Sequence, residues 1–539
     1  MTRNAPSFLL LATLALLLPQ FNTLAQGDLT PQEAAQKFGT LMRYVNQLYV
    51  DSVDVEALTE KAIVNMLEDL DPHSVYFSAD ELKEADEPLN GNFEGIGVQF
   101  NIFRDTIMVV SPISGGPSEK LGIRSGDRIV EVDGENAAGI GITNRDVMKM
   151  LKGPKGTIVQ VGIRREGVRE LLVFDIVRDK IPIYSLDAAH MVDDHIGYIK
   201  VSRFAKTTMD EFRQALLDLQ DQGMRDLILD LQGNGGGMLR TAIAMSDEFL
   251  SGNKLIVYTE GRAFEREDTY AQAEGLFEKG RLVVLIDEAS ASASEIVSGA
   301  VQDWDRGLIL GRRSFGKGLV QRPLRLPDGS AVRLTVQKYH TPSGRCIQKP
   351  YEDGVEAYRK EKFERYERGE FMTLDSLDLP DSLMYQTRLL KRKVYGGGGI
   401  LPDLFVPIDT TFNSETFSRI LRKGLCSRYA LEQVDARRAE WEGRHSDEDD
   451  FVANMNFTDA ELDAFKSYVR DEGVEIDEEE WSRSLPAIEW RLKAFFGRNV
   501  YESRTFYRVI GGLNEALQEG IRVLNDGTFN AAELAHRTF

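Results

Sequence analysis

Three short segments carry residue types able to do acyl-transfer chemistry. Residues 282–296 combine an apolar run, a turn of alternating small residues and the start of a helix. A hydroxyl in such a turn sits at a helix N-terminus, where free amides and the helix dipole stabilise developing negative charge. Ser290, Ser292 and Ser294 compete for that place, and serine is also an ordinary N-cap residue. Residues 311–318 nearly match the phosphate loop GxxxxGK[ST], but Gly318 stands where a magnesium-binding hydroxyl belongs. The stretch that follows, with Pro323, reads as a strand and not as the helix a phosphate loop opens. Lys317 therefore lies between two glycines, where close packing can bury its amine, lower its pKa and make it a general base. Residues 230–237 end a predicted strand in consecutive glycines, which present unhindered amides to an oxyanion. No histidine stands in a recognisable nucleophile context: His73 follows Asp71-Pro72 in a turn, His340 ends a strand and His445 lies in a charged stretch. A Ser-Lys pair is the better supported arrangement.

The elements that must hold these segments alternate. Residues 196–201 read as a strand, and Thr208 with Glu211 as a capping box opening a helix. Strands at 226–231, 282–286 and 308–310 alternate with helices at 239–250 and 294–304. This order implies a mostly parallel sheet covered by helices. Upstream, residues 30–89 have helical periodicity, with Asp71-Pro72 ending one helix. Between residues 92 and 177 the character changes to short strands punctuated by glycine, with helices at 117–121 and 144–151. That order resembles a PDZ domain, a module that binds an extended chain end as an added strand. Gly95, Ile96, Gly97 and Val98 form the candidate carboxylate-binding loop. Beyond residue 409 the chain turns helical and charged, and its acidic clusters at 447–450 and 475–480 read as solvated faces.

Composition narrows the classes. The 539 residues carry 86 acidic and 65 basic side chains, a formal charge of −21, with 42% hydrophobic and 28% charged residues. The length suits roughly three to five domains. An acidic surface disfavours nucleic-acid and anionic-membrane binding. Two cysteines, Cys346 and Cys426, exclude a disulfide scaffold, and six histidines without HExxH or CxxC leave little material for a zinc site. No metal or other cofactor is expected. Residues 1–25 read as a signal peptide with cleavage after Ala25, an uncleaved anchor being the alternative. The mature chain is expected to be exported, most simply to the periplasm, with no span after cleavage.

Together these motifs resemble the carboxy-terminal processing proteases, also called tail-specific proteases. The resemblance runs from about residue 39 to 407 and includes the segments 69–77, 230–237, 289–296, 314–321 and 397–403. It implies that Ser292 is the nucleophile, Lys317 its general base and Gln321 the residue orienting the amine. The amides of Gly235, Gly236 and Ala293 are implied as the oxyanion hole. The family usually has arginine where this chain has Gln232. The implied fold is α/β multidomain: a signal peptide (1–25), an N-terminal helical segment (28–90), a PDZ-like domain (91–178), a crotonase-like βαβ spiral protease core (179–408) and a C-terminal helical extension (409–539). The implied partners are proteins or peptides with exposed, largely apolar C-terminal tails. An adaptor, or a second copy of the chain, is a further candidate for the helical extension. A catalytically silent scaffold that only binds tails is the alternative function, and a nucleotide-dependent enzyme a weaker one.

Overall fold

The computed structural model describes residues 29–272, 274–373, 377 and 380–531. The expected signal peptide, residues 1–25, therefore lies wholly outside the described residues. The chain divides into two units, one ending at Met66 and the other starting at Leu67. The first contains the helix Pro31–Leu48, opened by a Thr30/Glu33 capping box with proline in its first turn, and most of the helix Val55–Glu68. All other elements belong to the second unit.

A six-stranded sheet carries the centre of that unit. Its order is Leu186–Met191, Ile196–Val201, Asp226–Asp230, Leu282–Ile286, Leu308–Gly311 and Leu404–Phe405. Only the first pairing is antiparallel. Side chains alternate between its faces, as the period of two requires. Leu227, Leu229, Leu282, Val284 and Ile286 pack under the helices Thr208–Asp221, Leu239–Asp247 and Ala293–Asp303. Ile228, Val283 and Leu285 pack on the opposite face under the C-terminal helix Glu515–Asn525. Burial on both faces explains why these strands are unbroken apolar runs.

A second, antiparallel five-stranded sheet surrounds the ten-residue strand Ala331–His340. It holds the strand Leu319–Arg325, which begins two residues after Lys317. It also takes the strand Val75–Phe77 from the region whose pattern reads as helical, just after the break at Asp71-Pro72. Three residues are too few to leave a periodic signal, and the strand exists because Ala331–Arg333 supplies its partner. The expected capping box at Thr208 does not form. Thr208 instead donates to Ser185 Oγ and accepts from the Ala205 amide, while Glu211 accepts from the Ser185 and Leu186 amides. Tertiary partners have taken both halves of the local motif. The acidic clusters are also more than solvated faces: Asp447 and Asp477 cap helix starts, and Glu448 pairs with Arg504 and Arg508.

The glycine-punctuated region folds into its own six-stranded sheet and core. Residues 417–509 build another core of helices. The two touch where Asp435 lies against Gly126 and 3.6 Å from Arg128, and where Arg428 sits 5.4 Å from the Phe103 ring centroid. Gly126 has φ +87°, and a Cβ there would come within 1.7 Å of Asp435 Oδ1. Gly122 has a similar φ of +80° but open space beside it. Gly126→Ala should destabilise the protein by roughly 1–3 kcal/mol. Gly122→Ala should cost only the backbone part, on the order of 1 kcal/mol. Denaturant unfolding of both variants measures the difference, and equal costs would remove the Asp435 contact from the account.

Candidate active site

The serine turn is held by the end of a central strand. Asp230, fully buried, accepts from Tyr198 Oη (2.7 Å), Lys200 Nζ (3.2 Å) and the Gln232 amide (2.8 Å), which fixes the start of the glycine-rich loop. The Asn234 carbonyl then accepts from both the Ala291 amide (3.0 Å) and Ser294 Oγ (2.8 Å). Ser290 Oγ donates to the Leu231 carbonyl at 2.8 Å and accepts from the Asp287 amide at 2.9 Å. Two of the three competing hydroxyls are thus spent on joining the turn to the loop. Neither of these bonds involves Ser292, which stands at the N-cap of the helix Ala293–Asp303.

Ser292 also has an unusual backbone, with φ 56° and ψ −110°. A β-substituted residue holds such a conformation only where its surroundings impose it. They do so from two directions: its amide donates to Glu295 Oε2 at 2.7 Å, and its carbonyl accepts from Tyr339 Oη at 3.1 Å. Gly236 packs so closely that a Cβ there would lie 2.8 Å from Ser292 Cβ.

Glu295 is 0% exposed, and burial pushes its carboxyl upward. Its oxygens accept from the Ser292 amide, Ser314 Oγ (2.6 Å), the Gly316 amide (2.7 Å) and the Lys317 amide (2.9 Å). One carboxyl group therefore joins the serine turn to the lysine loop.

Lys317 Nζ donates to Gln321 Oε1 at 3.0 Å. A register shift lies between Val320 and Gln321, so the stretch is not a regular strand throughout. Burial pulls the Lys317 amine below the ordinary lysine range, and Arg333 adds to this. Asp71 and Glu295 oppose it. His73 lies close to the lysine as well, its imidazole pushed down to about 4 by burial and by Lys317. Ser292 Oγ and Lys317 Nζ are not hydrogen-bonded to each other in this structure.

The expected oxyanion donors differ in their present partners. The Gly236 amide donates to Asn234 Oδ1 at 2.8 Å and is already committed. Among the described residues, the Gly235 and Ala293 amides have no recorded acceptor. Gln232, standing where the family usually has arginine, accepts from Asn514 Nδ2 at 2.8 Å, so a residue of the C-terminal helical region holds it. Gly95, Ile96, Gly97 and Val98 lie elsewhere, between the strands Asn92–Gly95 and Val98–Phe103. The latter is an edge strand paired only with Thr106–Pro112. The Ile96 carbonyl accepts from the amide and Oγ of Ser118, and the Gly97 carbonyl from the Ile113 amide. Both cysteines are free thiols. Among the described residues, no helix is long and apolar enough to cross a membrane.

Residues 195–357 match Peptidase family S41, and residues 95–175 match the PDZ domain. Residues 416–502 match a family of unknown function. A carboxy-terminal-processing protease of Bartonella bacilliformis is 38% identical over 319 residues, 58% of this chain and 72% of that protein. The chain belongs to the carboxy-terminal processing proteases. It is accordingly a serine peptidase, a hydrolase that carries a PDZ domain. Carboxy-terminal processing protease CtpA of Bacillus subtilis is 35% identical over 332 residues, covering 61% of this chain and 70% of that protein. The solved photosystem II D1 C-terminal processing protease aligns with 30% identity and a TM-score of 0.33, over 57% of this chain and 83% of that one.

Glu295, Asn234 and Tyr339 were not singled out from the sequence. Ser292-Ala-Ser-Glu295 has the S-x-x-E spacing of a capping box, which was the available signal for Glu295. In Glu295→Gln only one acceptor oxygen remains for four donors, and an amine group faces N–H groups. This protease should lose roughly 2–4 kcal/mol of stability and about a hundredfold in kcat. Thermal unfolding and peptide-cleavage kinetics measure the two effects, and a wild-type kcat would detach Glu295 from the site.

Proposed function

We propose that this carboxy-terminal processing protease cleaves by a Ser292–Lys317 dyad, with Gln321 orienting the amine. The observation that carries this reading is the shared Glu295 carboxyl, which accepts the backbone amides of both Ser292 and Lys317 and so fixes the two segments in one frame. A neutral lysine has two N–H donors and one lone pair. Donation to Gln321 leaves the lone pair to take the proton of Ser292, and such contacts tighten when substrate is bound. The alkoxide then attacks the scissile carbonyl, and the amides of Gly235 and Ala293 receive the oxyanion. Lys317 returns the proton to the leaving amine, and water resolves the acyl-enzyme.

The PDZ module, in this reading, captures a largely apolar C-terminal tail at the Gly95–Val98 loop and along the edge strand Val98–Phe103. The succession of parallel βαβ units supports a crotonase-like spiral for the protease core. The N-terminal 25 residues support export, with the periplasm as the working compartment. The N-terminal sequence of the exported protein should then begin at Gln26.

Internally quenched peptides that differ only in apolar or charged C-terminal tails test the reading. Ser292→Ala and Lys317→Ala should each lower kcat by roughly four orders of magnitude or more. Cleavage at the wild-type rate by either variant would contradict the dyad. The charged groups that act on Lys317 are Arg333, Asp71 and Glu295. The acid limb of kcat/KM follows the neutral amine, so activity rises with pH through a pKa below the ordinary lysine value. Arg333→Gln removes a cation that disfavours protonation, which raises that pKa and moves the limb to higher pH. A limb that moves to lower pH would exclude Lys317 as the titrating base.

A further inference from the structure

Gln321 has two ends of nearly equal shape, and only one of them suits a lysine base. If the amide turned over, an NH2 group would face the Lys317 amine and occupy the lone pair that the base needs. The side chain carries no preference of its own, so the orientation must come from whatever meets its other end. That partner is the backbone carbonyl of His73, which accepts from Gln321 Nε2. A carbonyl can only accept, so it draws the NH2 end and leaves Oε1 towards Lys317.

The carbonyl is itself held by a small built structure. Asp71 is buried, and its carboxylate accepts from the amides of His73 and Ser74 (2.8 Å each), from Ser74 Oγ (2.6 Å) and from Thr335 Oγ1 (3.1 Å). Ser74 Oγ also accepts the Thr335 amide at 3.1 Å. Thr335 is the cross-strand partner of Gln321. The turn is thus fastened to the residue opposite the one it orients, although His73 and Gln321 are 248 positions apart in sequence. On its far side the His73 ring is fixed by Tyr358 Oη, 2.8 Å from Nε2.

We propose that the Asp71–Ser74 turn is a positioning element of the active site: Asp71 holds the His73 carbonyl where it receives the Gln321 amide, and so presents the Gln321 oxygen to Lys317. This rests on the Ser292–Lys317 reading above. Asp71 touches neither substrate nor reacting atoms: it positions through Gln321, apart from the field its charge exerts on the Lys317 amine.

The full-length protein and an internally quenched peptide with an apolar tail provide the test. Asp71→Ala should lower kcat roughly tenfold to a hundredfold, with KM and tail binding by the PDZ module unchanged. Asp71→Asn keeps an oxygen for both amides and should recover most of the wild-type kcat. The decisive comparison is the double variant, assayed on the pH plateau where Lys317 is neutral and the charge of Asp71 no longer sets its protonation: Asp71→Ala added to Gln321→Ala should cost nothing further there, because the group it positions is already gone. Effects that multiply in the double variant, or a wild-type kcat in Asp71→Ala, would overturn the proposal. If Asp71→Ala does not fold, Thr335→Val removes one donor to the carboxylate. It should lower kcat a few-fold in wild type and not in Gln321→Ala. Ser292→Ala and Lys317→Ala are assayed in parallel. Activity in those variants refutes the dyad itself, whereas silence there with a normal Asp71→Ala enzyme refutes only the positioning role.

Discussion

The active site depends on one buried carboxyl group. Glu295 stands in the first turn of the serine helix, fully enclosed, and four donors from two separate segments converge on it. An isolated carboxylate in that place would cost several kcal/mol, so the donors are a condition of its burial. The converse also holds. The amides of Ser292, Gly316 and Lys317 would be left unpaired without it, and the strained φ of Ser292 would lose one of its two restraints. The turn that carries Ser292 and the loop that carries Lys317 therefore share one buried acceptor.

A second layer of constraint acts from outside the protease core. The C-terminal helical region covers one face of the parallel sheet with the helix Glu515–Asn525 and reaches the glycine-rich loop through Asn514 and Gln232. At its other end it meets the PDZ domain through Asp435 and Arg428. The same region thus touches both the PDZ domain and the glycine-rich loop beside Ser292. The substitution of Gln232 for the family's usual arginine has a structural partner in Asn514, which belongs to that region.

Much of this was legible in the sequence because it is written in local patterns. The strand Leu282–Ile286, the helix Asn144–Leu151 and the strand Arg128–Val132 are bounded as their apolar runs and turn residues indicate. Lys317 and Gln321 are four apart, but the strand begins only at Leu319 and its register shifts before Gln321, so the spacing alone does not account for their hydrogen bond. What stayed hidden depends on partners distant in the chain. Val75–Phe77 is a strand only because Ala331–Arg333 lies beside it, and Thr208 gives up its cap to Ser185. Ser290, Ser292 and Ser294 look alike in sequence. They separate only when Leu231 and Asn234 claim two of the hydroxyls. The Gly236 amide likewise looks free until Asn234 turns its side chain back onto it.

The most direct test of the site is to find the covalent intermediate. The enzyme would be mixed with a slowly hydrolysed peptide ester, quenched in acid within the first turnover, digested and mapped by mass spectrometry. The account predicts one acyl adduct, on Ser292, formed quickly in the wild type and far more slowly in Lys317→Ala. An adduct on Ser290 or Ser294, or equal acylation rates in the two proteins, would contradict it.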